Sequence, residues 1–192
     1  MAKVHFYYSA MNAGKSTTLL QSSYNYNERG METLLFLPSF DDRGGEGYIA
    51  SRIGLKAKAT CFDSDFDFAK HVSMVLKKQP RLACLLVDEA QFLTKEQVKQ
   101  LCCIADFLNI PVLAYGLRSD FLGETFEGSQ YLLAWADVLV EIKTICRSGR
   151  KATMNMRINT EGVPVLEGEQ VSIGGNERYT AVSRKEFAKV HG

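Results

Sequence analysis

The stretch Val4-His5-Phe6-Tyr7-Tyr8-Ser9-Ala10-Met11-Asn12-Ala13-Gly14-Lys15-Ser16-Thr17 decides the fold. Val4 to Tyr8 is a β-branched and aromatic run that stops at Ser9, and Lys15 to Tyr26 follows as a helix with Leu19 and Leu20 on its buried side. Between them, Ser9 to Ser16 follows the pattern G-x-x-x-x-G-K-[ST], with serine in place of the first glycine. Gly14 lets the backbone come close to a phosphate, Lys15 reaches β and γ oxygens, and the Ser16 hydroxyl suits Mg²⁺. Thr17 lies in the first turn of the helix, whose free N–H groups face the same anion. The loop of Ser9, Ala10, Met11, Asn12, Ala13, Gly14, Lys15, Ser16 and Thr17 therefore reads as a triphosphate cradle. A Gly-Lys-Ser turn at a helix start also arises by chance, but a strand before it and an apolar-periodic helix after it favour the phosphate loop.

Working outward, Thr33 to Leu37 reads as a second strand closed by Pro38, and Ser39 to Ser51 as a polar, glycine-rich and mobile segment holding Asp41, Asp42 and Arg43. Asp65 to Lys78 places Phe68, Val72 and Leu76 at helical spacing before Pro80. Leu82 to Val87 is a continuous apolar strand of the kind buried on both faces of a parallel sheet. Thr94 with Gln97 makes a helix start, the helix running to about Leu108. Pro111 to Tyr115 is another strand, Gln130 to Trp135 a short helix, and Val138 to Ile142 the last core strand. Short strands separated by helices predict an α/β fold with a doubly wound parallel sheet, whose ligands bind at the carboxyl ends of the strands. One such end is Val87-Asp88-Glu89. Asp88 is the candidate Mg²⁺ ligand, direct or through water, against the plainer reading of an ordinary strand-end acid. Glu89 points differently along the strand exit, either to take a proton from a bound hydroxyl, as in a kinase, or to activate water, as in an NTP hydrolase.

At 192 residues and 46% hydrophobic, the chain is long enough for one well-buried core with a small appended module. Lys plus Arg (23) nearly balances Asp plus Glu (22), so the net charge of +1 gives no general attraction for nucleic acid or an anionic membrane. The longest apolar runs are strand-sized, far short of the ~20 residues that span a bilayer. The start Met1-Ala2-Lys3-Val4 runs straight into a strand without a signal peptide, which predicts a cytoplasmic protein. Cys61, Cys84, Cys102, Cys103 and Cys146 are odd in number and read as buried thiols. After Ile142 the composition shifts to basic, polar and glycine-rich segments, with Gly174-Gly175-Asn176 between polar runs. This divides the chain into a nucleotide-binding domain at 1–142 and a small domain of turns and short ribbons at 143–192.

Five segments in order resemble the type II thymidine kinases, close to their enterobacterial branch, over almost the whole chain. They are Tyr7 to Thr17, Asp41-Asp42-Arg43, Val87-Asp88-Glu89-Ala90-Gln91-Phe92, Tyr115-Gly116-Leu117-Arg118 through Phe121, and Gly174-Gly175-Asn176-Glu177-Arg178-Tyr179. Serine at position 9 also occurs in that branch. The resemblance implies a P-loop NTPase-like sheet with a small C-terminal zinc-ribbon-like or lasso domain, and transfer of the γ-phosphoryl group of ATP to the 5′-hydroxyl of thymidine in nucleotide salvage. It implies Glu89 as the base, Lys15, Ser16 and Asp88 serving triphosphate and Mg²⁺, and Arg43 near the transferring phosphate. Phe92, Leu117 and Phe121 would line the thymine pocket, with Gln91 near sugar or metal. Val171, Ile173, Gly174 and Tyr179 would belong to the lasso that closes over the base. A homotetramer inhibited by dTTP is implied as well.

Such a transfer relies on alignment and on positive charge at the equatorial oxygens, which Lys15, Mg²⁺ and Arg43 supply. Phe92 and Phe121 have the plainer reading of core aromatics. A P-loop hydrolase or switch, and a catalytically silent nucleotide-binding protein, stand as the other functional classes; a hydrolase needs no base-closing segment. One departure from the family concerns its structural zinc. The four ligand positions fall on Cys146, Ser148, Ser183 and Glu186. Serine hydroxyls are poor zinc ligands near neutral pH. The expectation is that no structural zinc is bound and that packing and subunit contacts hold the small domain.

Overall fold

The apolar run Leu82–Val87, strand β6, lies inside a six-stranded sheet because its side chains have partners on both faces. The structure, a computed structural model, describes residues 1–170 and 179–192. Around β6 the sheet is built from β1 (Val4–Ser9), β2 (Glu32–Pro38), β5 (Thr60–Phe62), β7 (Val112–Leu117) and β8 (Val138–Glu141) in the order β5-β2-β6-β7-β1-β8, all parallel. Alternation along the strands sorts the core into two layers. Leu35, Leu37, Cys84, Leu86, Leu113 and Tyr115 meet Leu19 and Leu20 of α1 (Lys15–Asn27) on one face. Phe36, Leu85, Val87, Val112 and Ala114 meet α2 (Phe68–Leu76), α3 (Lys95–Leu108) and α4 (Glu127–Trp135) on the other. The parallel order β6-β7-β1 leaves the carboxyl ends of these three strands side by side.

The α3 start is as read from the sequence. Thr94 Oγ1 accepts from the Gln97 N–H at 3.3 Å, and Gln97 Oε1 accepts from the Thr94 N–H at 3.0 Å. Helix α2 begins at Phe68 rather than Asp65, since Asp67 caps it by accepting from the Lys70 N–H at 2.8 Å. Two features between Ser39 and Phe62 escape the sequence reading. Strand β3 (Tyr48–Ala50) and strand β4 (Lys56–Lys58) form an antiparallel hairpin, and β5 adds an edge to the main sheet. The segment read as mobile thus holds hydrogen-bonded turns at Asp42–Gly45 and Gly45–Tyr48 and ends in a strand.

Beyond Ile142 the short ribbons are present as β9 (Thr144–Ile145) with β10 (Lys151–Ala152), and β11 (Met154–Arg157) with β12 (Tyr179–Val182), both antiparallel. The sequence reading of turns and ribbons alone is corrected by a terminal helix, α5 (Arg184–His191).

Candidate active site

Strand β1 delivers the chain to Ser9, which is buried, and the loop then turns twice through left-handed backbone, at Asn12 (φ 61°) and Gly14 (φ 83°). Glycine meets no steric penalty at such an angle, so Gly14 is set by its backbone conformation rather than by crowding. Helix α1 starts without a side-chain cap and without an acidic residue in its first turn. Its N–H groups are left for an anion. Lys15 is buried, with Nζ donating to Ser9 Oγ at 3.3 Å and to the Ala10 carbonyl at 3.5 Å. Burial pushes its pKa down, against the pull of Glu89 and Asp88.

At the end of β6, Asp88 Oδ2 accepts from the Ser16 hydroxyl at 2.7 Å and Asp88 Oδ1 from the Glu89 N–H at 3.0 Å. Burial raises the Asp88 carboxyl to about 7, and the adjacent Glu89 charge adds to the rise. Glu89 takes left-handed backbone (φ 49°, ψ 41°), so its side chain leaves in another direction. Its Oε1 pairs with the Arg43 guanidinium, which also pairs with Asp41, and its Oε2 accepts from Gln91 Nε2 at 2.6 Å. Burial pushes the Glu89 carboxyl up, but Arg43, Lys15 and the Gln91 amide together hold it below the usual carboxylate range.

Gln91 is the hinge pin of the next layer. It sits in a single 3-10 turn, Ala90–Phe92, and its Oε1 accepts from the Leu117 N–H at 3.0 Å. A Cβ on Gly116 would lie 2.9 Å from both the Gln91 amide nitrogen and Oε1, so only glycine fits beneath this turn. Phe92 packs edge-on against Phe40 and Phe126, with centroids 4.9 and 5.7 Å away.

The ends of β1 and β7 and the β3–β4 hairpin enclose a cleft of about 450 Å³. Met11 to Thr17, Arg43, Glu89 and Leu117 all line it. Asp88 lies behind Ser16, and Gln91 behind Glu89. Phe121 is only 1% exposed and does not line the cleft; it packs edge-on to Tyr179 at 6.4 Å, and the Arg157 guanidinium lies over its ring 5.5 Å from the centroid. Val171, Ile173 and Gly174 lie outside the described residues. The cleft also contains Ala50, Ser51, Arg52 and Ile53, which the sequence reading missed. Arg52, two residues before Gly54, was the available signal. Asn155, discussed below, was missed too; an asparagine between Met154 and Met156 in a short ribbon gives no warning of a contact 144 positions away.

Hydroxyl and carboxylate oxygens at Ser16 and Asp88 are the hard donors Mg²⁺ takes, so this pair fits that ion. The four positions at which the resemblance implies a zinc site do come together, but as hydrogen-bond partners. Cys146 Sγ is 3.1 Å from Ser148 Oγ, and Glu186 Oε2 accepts from the Ser183 N–H and hydroxyl at 3.0 and 2.9 Å. Bonds from Ser183, Cys146 and Ser148 hold the Glu186 carboxyl at about 2. With one thiol, this set does not fit a structural zinc. Among the described residues, no group of three or more His, Cys, Asp or Glu side chains is placed to hold a metal ion.

A family model described as thymidine kinase matches residues 2–187. The chain is 66% identical over 187 residues to the thymidine kinase of Coxiella burnetii, covering 97% of this chain and 95% of the relative. It is 60% identical over 190 residues to that of Xanthomonas axonopodis pv. citri, covering 99% and 91%. It is also 60% identical over 187 residues to that of Shewanella oneidensis, covering 97% of each.

Proposed function

Because the chain belongs to the thymidine kinase family and transfers the γ-phosphoryl group of ATP to the 5′-hydroxyl of thymidine, giving dTMP and ADP, we propose that the cleft over the phosphate loop is where that transfer occurs. The observation that carries the assignment is the convergence of Lys15, Arg43 and Glu89 on one cleft from three separate segments. Asn12 to Thr17 supply backbone N–H groups and Lys15 one ammonium to the triphosphate, while the Met11 N–H is already held by Asn155. Ser16 and Asp88 would hold Mg²⁺, which supplies positive charge to the phosphate oxygens. Glu89, kept ionised by Arg43, Lys15 and Gln91, takes the proton from the 5′-hydroxyl. Arg43 is half-exposed and bound to Glu89 and Asp41, within reach of a phosphoryl group that competes for it.

Leu117, Phe92 and Phe121 are assigned to the thymine side, with Tyr179 and the segment containing Val171, Ile173 and Gly174 closing over it. Phe121 and Tyr179 would act through their mutual packing, which supports the shape of the wall. A nucleotide that combines thymine with a triphosphate would satisfy both subsites at once, which supports dTTP as an inhibitor. Residues 143–192 are taken as a separate module without zinc, since the donor set at Cys146, Ser148, Ser183 and Glu186 suits hydrogen bonding. Exposed Phe107 (81%) and Ile145 (70%) are consistent with burial between copies in a homotetramer. A cytoplasmic setting agrees with free thiols on all five cysteines. No helix among the described residues is long and apolar enough to cross a membrane.

The test is Glu89→Gln, which keeps size and removes basicity. A kcat loss of about 10²-fold or more with thymidine still bound is expected, read by thymidine-dependent ADP release and by direct thymidine titration. A rate within a few fold of the parent would reject Glu89 as the base.

A further inference from the structure

Asn155 stands on β11, 2% exposed, and is not among the described residues that line the cleft. Its Oδ1 accepts from the Met11 N–H at 2.8 Å, and its Nδ2 donates to the Ser119 carbonyl at 2.8 Å. The amide can be oriented in only one way. Turning it over would set two donors face to face at Met11 and two acceptors at Ser119. Both ends of the side chain are therefore engaged with the carboxyl-end loops, Met11 after β1 and Ser119 after β7. Met11 is followed by Asn12 in left-handed backbone, a conformation asparagine tolerates better than most residues, and the Asn155 bond fixes the residue immediately before that turn.

We propose that Asn155 is a positioning residue for phosphoryl transfer, fixing the receptive shape of the phosphate loop through the Met11 N–H and tying it to β11. The claim rests on the reading that this loop holds the triphosphate of ATP. A buried amide whose two bonds are both to backbone groups leaves those groups unsatisfied when truncated. With Asn155 gone, Met11 can turn and the N–H groups of the loop no longer converge on one anion.

The experiment measures KM for ATP and for thymidine in Asn155→Ala, together with titration of the β,γ-imido analogue of ATP and a thermal melt. Lys15→Ala is titrated in parallel. Expected is about a tenfold rise in KM for ATP and in analogue Kd, with KM for thymidine within about twofold of the parent. Equal rises in both KM values, or unchanged ATP affinity in a folded variant, would overturn the proposal. If Lys15→Ala also binds the analogue like the parent, the triphosphate reading of the loop fails instead. Should Asn155→Ala not fold, hydrogen exchange of the parent decides. The Met11 amide is expected to be protected without nucleotide, and exchange at the rate of an open chain would refute the bond.

Discussion

Two adjacent acids at the end of β6 have opposite chemistry because one backbone angle separates them. The left-handed conformation of Glu89 costs an ordinary residue about 1 kcal/mol, and it is held by bonds to Arg43 and Gln91. Asp88 is thereby left facing Ser16 in a buried site, and burial raises its carboxyl from 3.8 to about 7. A raised acid binds a proton in the folded state that the unfolded chain lacks, so its contribution to stability falls as pH rises from about 4 to 7. Asp88→Asn is therefore expected to stabilise the nucleotide-free protein at pH 8, read as a rise in Tm over the parent. The gain should shrink toward nothing near pH 4, while activity is lost at every pH. Melts across that range check it, and a pH-independent change in Tm would contradict the shift. For Glu89 the sign is reversed, since its carboxyl is held low in the folded state and the base is ionised at neutral pH. Gln91→Leu removes one donor to it, so the acidic limb of the kcat profile should move to higher pH with its alkaline plateau largely retained. A limb that stays in place would show that the Gln91 bond does not tune the base.

At the level of elements, the site depends on how closely α4 lies on the turn that carries Gln91 and Phe92. A Cβ on Gly128 would come 2.4 Å from the Ala90 carbonyl oxygen, 2.8 Å from that of Leu93 and 2.9 Å from that of Gln91. Backbone carbonyls cannot swing aside as side chains do, so Gly128→Ala must push the helix and the turn apart. A loss of about 2 kcal/mol in stability is expected, with a larger rise in KM for thymidine than for ATP, measured by denaturant titration and initial rates. Unchanged KM for both substrates would show that the turn does not shape the nucleoside side. The elements that carry this machinery were largely legible. Alternating burial, the Thr94–Gln97 cap and the Gly14-Lys15-Ser16 junction are local signals, and local signals survive folding. Strand β5 escaped notice because three residues are too few to show a period, and the β3–β4 hairpin because polar, glycine-rich sequence is the same in a hairpin as in a loop. Glu89's backbone angle and the reach of Asn155 to Met11 depend on long-range contacts and leave no trace in a window of neighbours. Lys15, Ser16 and Glu89 at the cleft, and Asp88 behind it, were readable by motif, whereas Arg52 and Ile53 required the hairpin to bring them over the loop.

On the scale of the molecule, the question is what holds the region after Ile142 to the sheet when the four positions that the resemblance gives to zinc carry one cysteine, two serines and a glutamate. Ser183 caps α5 by accepting from the Glu186 N–H at 3.3 Å, while Glu186 accepts in return from the Ser183 N–H at 3.0 Å. Cys146 and Ser148 complete the group on the β9–β10 turn, and Cys146 is buried. Bonds from Cys146 and Ser148 to Glu186 thus join that turn to the helix start shaped by the capping box, and Asn155 joins the same region to the phosphate loop. A metal clamp contributes folding free energy that a chelator removes, whereas a hydrogen-bonded cluster is indifferent to chelation. Protein purified without chelator is expected to contain far less than one zinc per chain by elemental analysis, and its Tm should be the same before and after chelation. Ser183→Ala should lower stability by about 1 kcal/mol, because the helix start loses its acceptor and the cluster its central hydroxyl. One tightly held zinc per chain, whose removal lowers Tm by several degrees, would mean that another ligand completes a metal site and that the hydrogen bonds among Cys146, Ser148, Ser183 and Glu186 are not what fixes this end of the chain.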